Sequence, residues 1–199
     1  KDGVTIATDA GKLGIEKEAA KAEIEAAKAA KEKAIEANPD LTPEQKAAAK
    51  AKVAEEATKA IGEIDKATTE DDVTVAKNAG KFAIEKEAAK AEVEAAKAAK
   101  EKLIDANDKL SNDEKQAAKD AVEEAATNAI QAIDAAQDQS TVDSAKTTGK
   151  EAVEAVNPVG KEKALAAIDK ALEEKEKAID ANDKLSDAEK QAAKEAAKK

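Results

Sequence analysis

Apolar residues recur along this chain at helical spacing, and whole stretches of that pattern return. Val53, Ala57, Ala60, Ile61 and Ile64 step by 4, 3, 1 and 3, the period of one helix face, while Glu55, Lys59 and Glu63 hold the other side. The stripe comes back as Val122, Ala126, Ala129, Ile130 and Ile133. Upstream, Leu13, Ile24 and Ile35 mark one edge of a wide apolar arc, Ile15 the other, and alanines fill the middle. Such an arc suits a helix that touches two neighbours, and alanine lets them approach closely. Glu18, Lys21, Glu25, Lys28 and Glu32 line opposite charges along the remaining face, as do Glu87, Lys90, Glu94, Lys97 and Glu101. That stripe reads as self-stabilisation of an exposed helix surface.

Start and stop signals divide the pattern into three helices per period. Helix A runs from about Lys12 to Ala37 and stops at Asn38-Pro39, with Asn107-Asp108 and Asn182-Asp183 as its later counterparts. A leucine follows each stop (Leu41, Leu110, Leu185), placed to plug the bundle end. Helix B then opens on a capping box: Thr42-Pro43-Glu44-Gln45, Ser111-Asn112-Asp113-Glu114 and Ser186-Asp187-Ala188-Glu189. After a short break at Thr68–Glu70, Thr69 with Asp72 caps helix C, which begins with Val73 and Ala76. One glycine costs about 1 kcal/mol inside a helix without ending it, so helix C is expected to run through Gly80 into the next helix A. Glu70–Ala106 is then one helix of ~55 Å at 1.5 Å per residue. Asn157-Pro158 and Gly160 break the third junction, since proline removes a helix hydrogen bond and constrains the residue before it. A kink or hinge is expected at Asn157–Gly160.

Self-comparison explains the recurrence. Lys17–Ala37 and Lys86–Ala106 agree at 18 of 21 positions with an offset of 69, and Gly11, Gly80 and Gly149 keep that spacing. Ala178–Lys194 matches Leu103–Lys119 at an offset of 75. The division is therefore 1–11 as the end of a preceding repeat, 12–80 and 81–149 as whole repeats, and 150–199 as a truncated third. Near-identity of the copies also fits a consensus-type repeat.

Composition narrows the chemistry. The 199 residues carry 34 Lys and 44 Asp+Glu, a net charge of −10, with no Arg, His, Cys, Met, Trp or Tyr and a single Phe at position 82. Ala supplies 53 residues, whereas Ile, Leu, Val and Phe total 30. This favours thin Ala-packed bundles over a broad core. Without His or Cys there is no ordinary zinc, haem or iron–sulfur site and no Ser-His-Asp triad. The acidic balance argues against nucleic acid and anionic membranes, and no apolar run approaches a membrane span.

Each candidate site has a plainer explanation. Gly80-Lys81, Gly149-Lys150 and Gly160-Lys161 lack the upstream glycine and following Ser/Thr of a phosphate loop. In Asp105–Asp113, Leu110 stands where a calcium loop needs glycine and Gln116 where it needs glutamate. Glu55-Glu56 and Asp71-Asp72 sit on solvated faces, and two of four serines (Ser111, Ser186, but not Ser140 or Ser144) are caps. No catalytic, cofactor-binding or metal residue is assigned, no cofactor is expected, and the chain reads as a non-enzyme.

The quoted motifs resemble one family. ANPDLTPEQK at Ala37–Lys46, AIGEIDKATTEDDV at Ala60–Val73 and AVNPVGKEKA at Ala155–Ala164 are similar to the tandem "domain of unknown function fifteen-forty-two" repeats. These occur in large cell-wall-anchored surface proteins of Gram-positive bacteria, including adhesins linked to aggregation and biofilm. The resemblance implies an extracellular location, with anchoring through a sorting signal outside this segment, and brings no catalytic residues. The expectation is an all-α, elongated, rod-like array of three-helix bundles sharing long helices, serving as a structural stalk for a distal binding domain. Its partners would be neighbouring repeats of the same chain. The alternative is a three-helix binding module for a host protein or for like repeats on other cells. It would need an exposed hot spot, for which Phe82 is the one aromatic candidate.

Overall fold

The computed structural model describes residues 2–198, with side-chain burial from Ala10 onward. All regular structure among these residues is helical: α1 Asp2–Ala37, α2 Pro43–Lys66, α3 Glu70–Ala106, α4 Asn112–Ala135, α5 Gln139–Glu154, α6 Glu162–Asp180 and α7 Asp187–Ala197. The chain is an all-α helical repeat array. It divides into two compact units, Lys1–Lys102 with Ala121–Val156, and Leu103–Asp120 with Asn157–Lys199.

The starts of α2, α3, α4 and α7 follow the capping signals in the sequence. In α2 the Gln45 N–H donates to Thr42 Oγ1 at 3.2 Å and the Thr42 N–H donates to Gln45 Oε1 at 2.9 Å. Ser111 with Glu114 and Ser186 with Glu189 close the same reciprocal pair at α4 and α7. Thr69 and Asp72 do so at α3, and Asp138 accepts the Thr141 N–H at α5. Each cap satisfies N–H groups that the first helical turn leaves without partners.

In the first unit, α3 runs unbroken through Gly80, as the sequence predicts. Ile24 and Ile35 of α1, Leu41 of the following turn, Val53, Ala57 and Ile64 of α2, and Val73, Ile84, Ala91 and Ala95 of α3 form one core. Helix C of one repeat (Val73) and helix A of the next (Ala91, Ala95) thus close the same core from a single helix. Val93, from the opposite edge of that alanine arc, is fully buried and faces Gly149 of α5. The wide arc is used on both sides. Helix C crosses helix B where a methyl has no room: a Cβ on Gly80 would lie 2.2 Å from Ala60 Cβ, and one on Gly149 would lie 2.1 Å from Ala129 Cβ. Glycine is kept there for close approach, and the surrounding packing offsets its helix cost.

In the second unit, Ile104, Leu110 and Ala118 are buried around the α3–α4 turn. Helices α6 and α7 form an antiparallel pair, tied by Lys194–Asp180 and Lys198–Glu176. Ile179 is buried between them and Leu185 is half-buried, whereas Leu165 and Ile168 are exposed. The helix stops after Glu154 and restarts at Glu162, so the break expected at Asn157–Gly160 is present. It is also held: Lys161 and Glu162 donate their N–H groups to Glu114, and Lys163 Nζ donates to the Asp108 carbonyl.

Candidate functional site

The residues that the sequence offers for chemistry occupy structural roles. Gly80 and Gly149 lie inside helices against Ala60 and Ala129, which leaves no loop there to cradle a phosphate. Gly160 lies in the break, against the Lys109 carbonyl. Around Asp105–Asp113 the oxygens face lysines: Lys115 Nζ donates to the Asp105 carbonyl, and Lys119 bridges the Asp105 carboxylate at 2.6 Å. Asp72 caps α3, and the Thr69 hydroxyl and Thr68 N–H hold its carboxyl below the ordinary range. Glu55 and Glu56 both pair with Lys59, whose ammonium they raise above its usual value. Ser111 and Ser186 cap α4 and α7. Lys86 Nζ lies 4.8 Å above the half-buried Phe82 ring, a cation–π contact that covers the lone aromatic.

What the charges build is a repeated set of cross-links between helices. Lys17 and Lys86 donate to the carbonyls of Asp65 and Asp134 at the C-terminal end of helix B. Lys21 and Lys90 bridge the carboxylates of the same two aspartates, at 2.6 and 2.5 Å. Burial works against the charge on Lys90, yet Asp134 and Glu87 outweigh it and the ammonium is held above its ordinary range. Glu23 receives Lys77 and Lys81 from helix C, and Glu92 receives Lys146 and Lys150. Lys50–Glu36, Lys119–Asp105 and Lys194–Asp180 fasten the turn after helix A in all three copies. The charged stripe is therefore only partly self-contained. Lys21–Glu18 and Lys28–Glu25 pair along the helix, while Lys21, Lys90 and Lys97 also reach across to Asp65, Asp134 and Glu123. Periodicity within one helix misses these cross-helix pairs. The signal for them is the return of both partners at the repeat offset, as with Lys21–Asp65 and Lys90–Asp134.

Two concavities belong to the first unit. A pocket of about 240 Å³ lies between the start of α2 and α3, lined by Leu41, Ala48, Ala49, Ala91 and Ile130 with Glu87 and Lys90 at its edge. A seam of about 610 Å³ runs between α4 and α5, lined by Glu124, Ala125, Ala129, Ala132, Ser144 and Ala145. Its counterpart in the first repeat has Glu56, Lys59 and Glu63 where the second has Ala125, Asn128 and Ala132. Among the described residues, no group of three or more His, Cys, Asp or Glu is placed to hold a metal ion. No helix there is long and apolar enough to cross a membrane.

Comparison with known proteins finds no match among curated proteins and none among solved structures. The sequence profile of the Domain of Unknown Function DUF1542 matches twice in tandem, over residues 16–86 and 85–161. Those matches cover most of the chain and fall on the helices that share α3. With two consecutive copies of its helical repeat, the chain belongs to the DUF1542 family.

Proposed function

We propose that this chain is a non-catalytic spacer: a segment of an extracellular, cell-wall-anchored adhesin stalk that holds a distal binding domain away from the cell. The observation that carries it is α3. A single 37-residue helix supplies helix C to one repeat and helix A to the next, with apolar residues buried along its length. A shared helix of ~55 Å transmits direction from repeat to repeat, and nearest-neighbour packing lets length grow by adding units. The Lys/Glu exterior and net charge of −10 favour solubility of such a part. Small-angle scattering tests this. The spacer reading expects a radius of gyration well above the ~16–17 Å of a globule of this length. A value in the globular range overturns it.

The binding-module alternative draws support from the alanine-rich seam between α4 and α5, which carries Glu124 as its one charged lining residue where the first repeat carries ion-paired side chains. Recovery of a stoichiometric partner from serum, lost when Ala132 and Ala145 are both changed to Lys, would favour that reading.

A further inference from the structure

We propose that Glu114 is a two-ended cap, and that the choice of glutamate or glutamine at this capping-box position decides whether the break at Asn157–Gly160 is docked. Helix α6 differs from α2, α5 and α7 in one respect. Its N-cap residue is Lys161, in helical geometry, with no side-chain cap of its own. Its first N–H groups need acceptors, and Glu114 supplies them. Glu114 Oε1 accepts from the Lys161 N–H at 2.7 Å and the Glu162 N–H at 3.0 Å, while Oε2 accepts from the Ser111 N–H at 2.9 Å. One carboxylate therefore caps the start of its own helix and that of α6, where Lys161 lies 47 residues further along the chain.

Two further contacts complete the dock. A Cβ on Gly160 would lie 2.3 Å from the Lys109 carbonyl oxygen, so the segment seats only with glycine there. Lys163 Nζ donates to the neighbouring Asp108 carbonyl. In the first repeat the capping residue is Gln45, whose Oε1 serves the Thr42 N–H. Its other terminal atom is an N–H donor and could not accept from a helix start. None is needed, because Lys86 and Glu87, the counterparts of Lys161 and Glu162, lie within continuous α3. The amide goes with the unbroken junction and the carboxylate with the broken one.

This inference stands apart from the spacer reading and is tested on the full chain. Amide hydrogen exchange is followed by NMR in wild type, Glu114→Gln, Glu114→Ala and the control Glu189→Gln. The Glu162 N–H is the sharper reporter, since the Lys161 N–H is shared with the Val159 carbonyl. Hydrogen bonds to a charged group support an increase of about tenfold or more in Glu162 exchange for both Glu114 variants. Ser111 exchange stays near wild type in Glu114→Gln and rises only in Glu114→Ala, and Glu189→Gln changes neither. In parallel, spin labels on Ala117→Cys and Lys170→Cys, in a chain without native cysteine, report the distance distribution between α4 and α6. That distribution broadens in Glu114→Gln and, through the steric route alone, in Gly160→Ala. Unchanged Glu162 exchange or an unchanged distance distribution in Glu114→Gln overturns the proposal.

Discussion

Glu70–Gly80 and Gln139–Gly149 begin alike and lead to different ends. Both open on a capped start, both bury a valine on the first turn (Val73, Val142), and both cross helix B at a glycine set against an alanine. Four residues on, Ile84 and Val153 are buried to the same degree. From there α3 continues to Ala106, whereas α5 stops at Glu154. The glycine is therefore not the punctuation. Asn157-Pro158 is, because the proline lacks the N–H that would continue the ladder and disfavours helical geometry at Asn157. Where a helix breaks, its new start requires an acceptor, and that requirement appears in a different helix, at Glu114.

Importing the proline should separate the two junctions most. Ala83→Pro, inside the continuous junction, should cost about 3 kcal/mol or more and lower helicity by circular dichroism, whereas Pro158→Ala should shift the melting temperature little. Next come the crossings. Gly80→Ala and Gly149→Ala each force a methyl into a neighbouring alanine and should destabilise by about 1–3 kcal/mol in denaturant titrations. Gly62→Ala, with open space around it, should stabilise by up to about 1 kcal/mol. Equal cost at Gly80 and Gly149 would show that the two junctions are the same up to that point.

The caps are a smaller term. Thr42→Ala should cost about 1 kcal/mol by loss of the Oγ1 acceptor for the Gln45 N–H. The capping carboxylates predict a direction in pH. Backbone N–H groups hold Glu114 and Asp138 below their ordinary values, with Ser111, Glu162 and Lys161 acting on the first and Thr141 on the second. The Ser186 hydroxyl and N–H do the same for Glu189. A carboxyl depressed in the folded state contributes stability that is fully present above its unfolded pKa and lost as pH falls through the folded value. The melting temperature should be flat from pH 8 to 5 and fall below about pH 4, near the reference range for Asp and Glu. A maximum below pH 4 would contradict this assignment.

Much of this architecture is legible because each local signal agrees with the others. Thr42, Ser111 and Ser186 start their helices, and Val53, Ala57, Ala60 and Ile64 are buried together with their counterparts in α4. Other positions resist a local reading. Ile15 and Ile84 are the same repeat position with the same residue, yet Ile15 is 71% exposed and Ile84 is 1% exposed. Val93 is buried and its counterpart Ile168 is 63% exposed. Burial at these positions depends on whether another helix lies across them, which no window of sequence contains. Lys21 looks like a partner for Glu18 and is one, but it also holds Asp65 from a helix more than forty residues away.

The helices, their caps and their period follow from backbone propensity, and the lack of His, Cys and Arg chemistry follows from composition. Tertiary structure decided which faces of the alanine arc are covered, which lysines tie one helix to the next, and why glycine stands at 80, 149 and 160. It also gave Glu114 its second role. Those outcomes depend on contacts between residues far apart in the chain, where the distance of closest approach, rather than local preference, sets the energy.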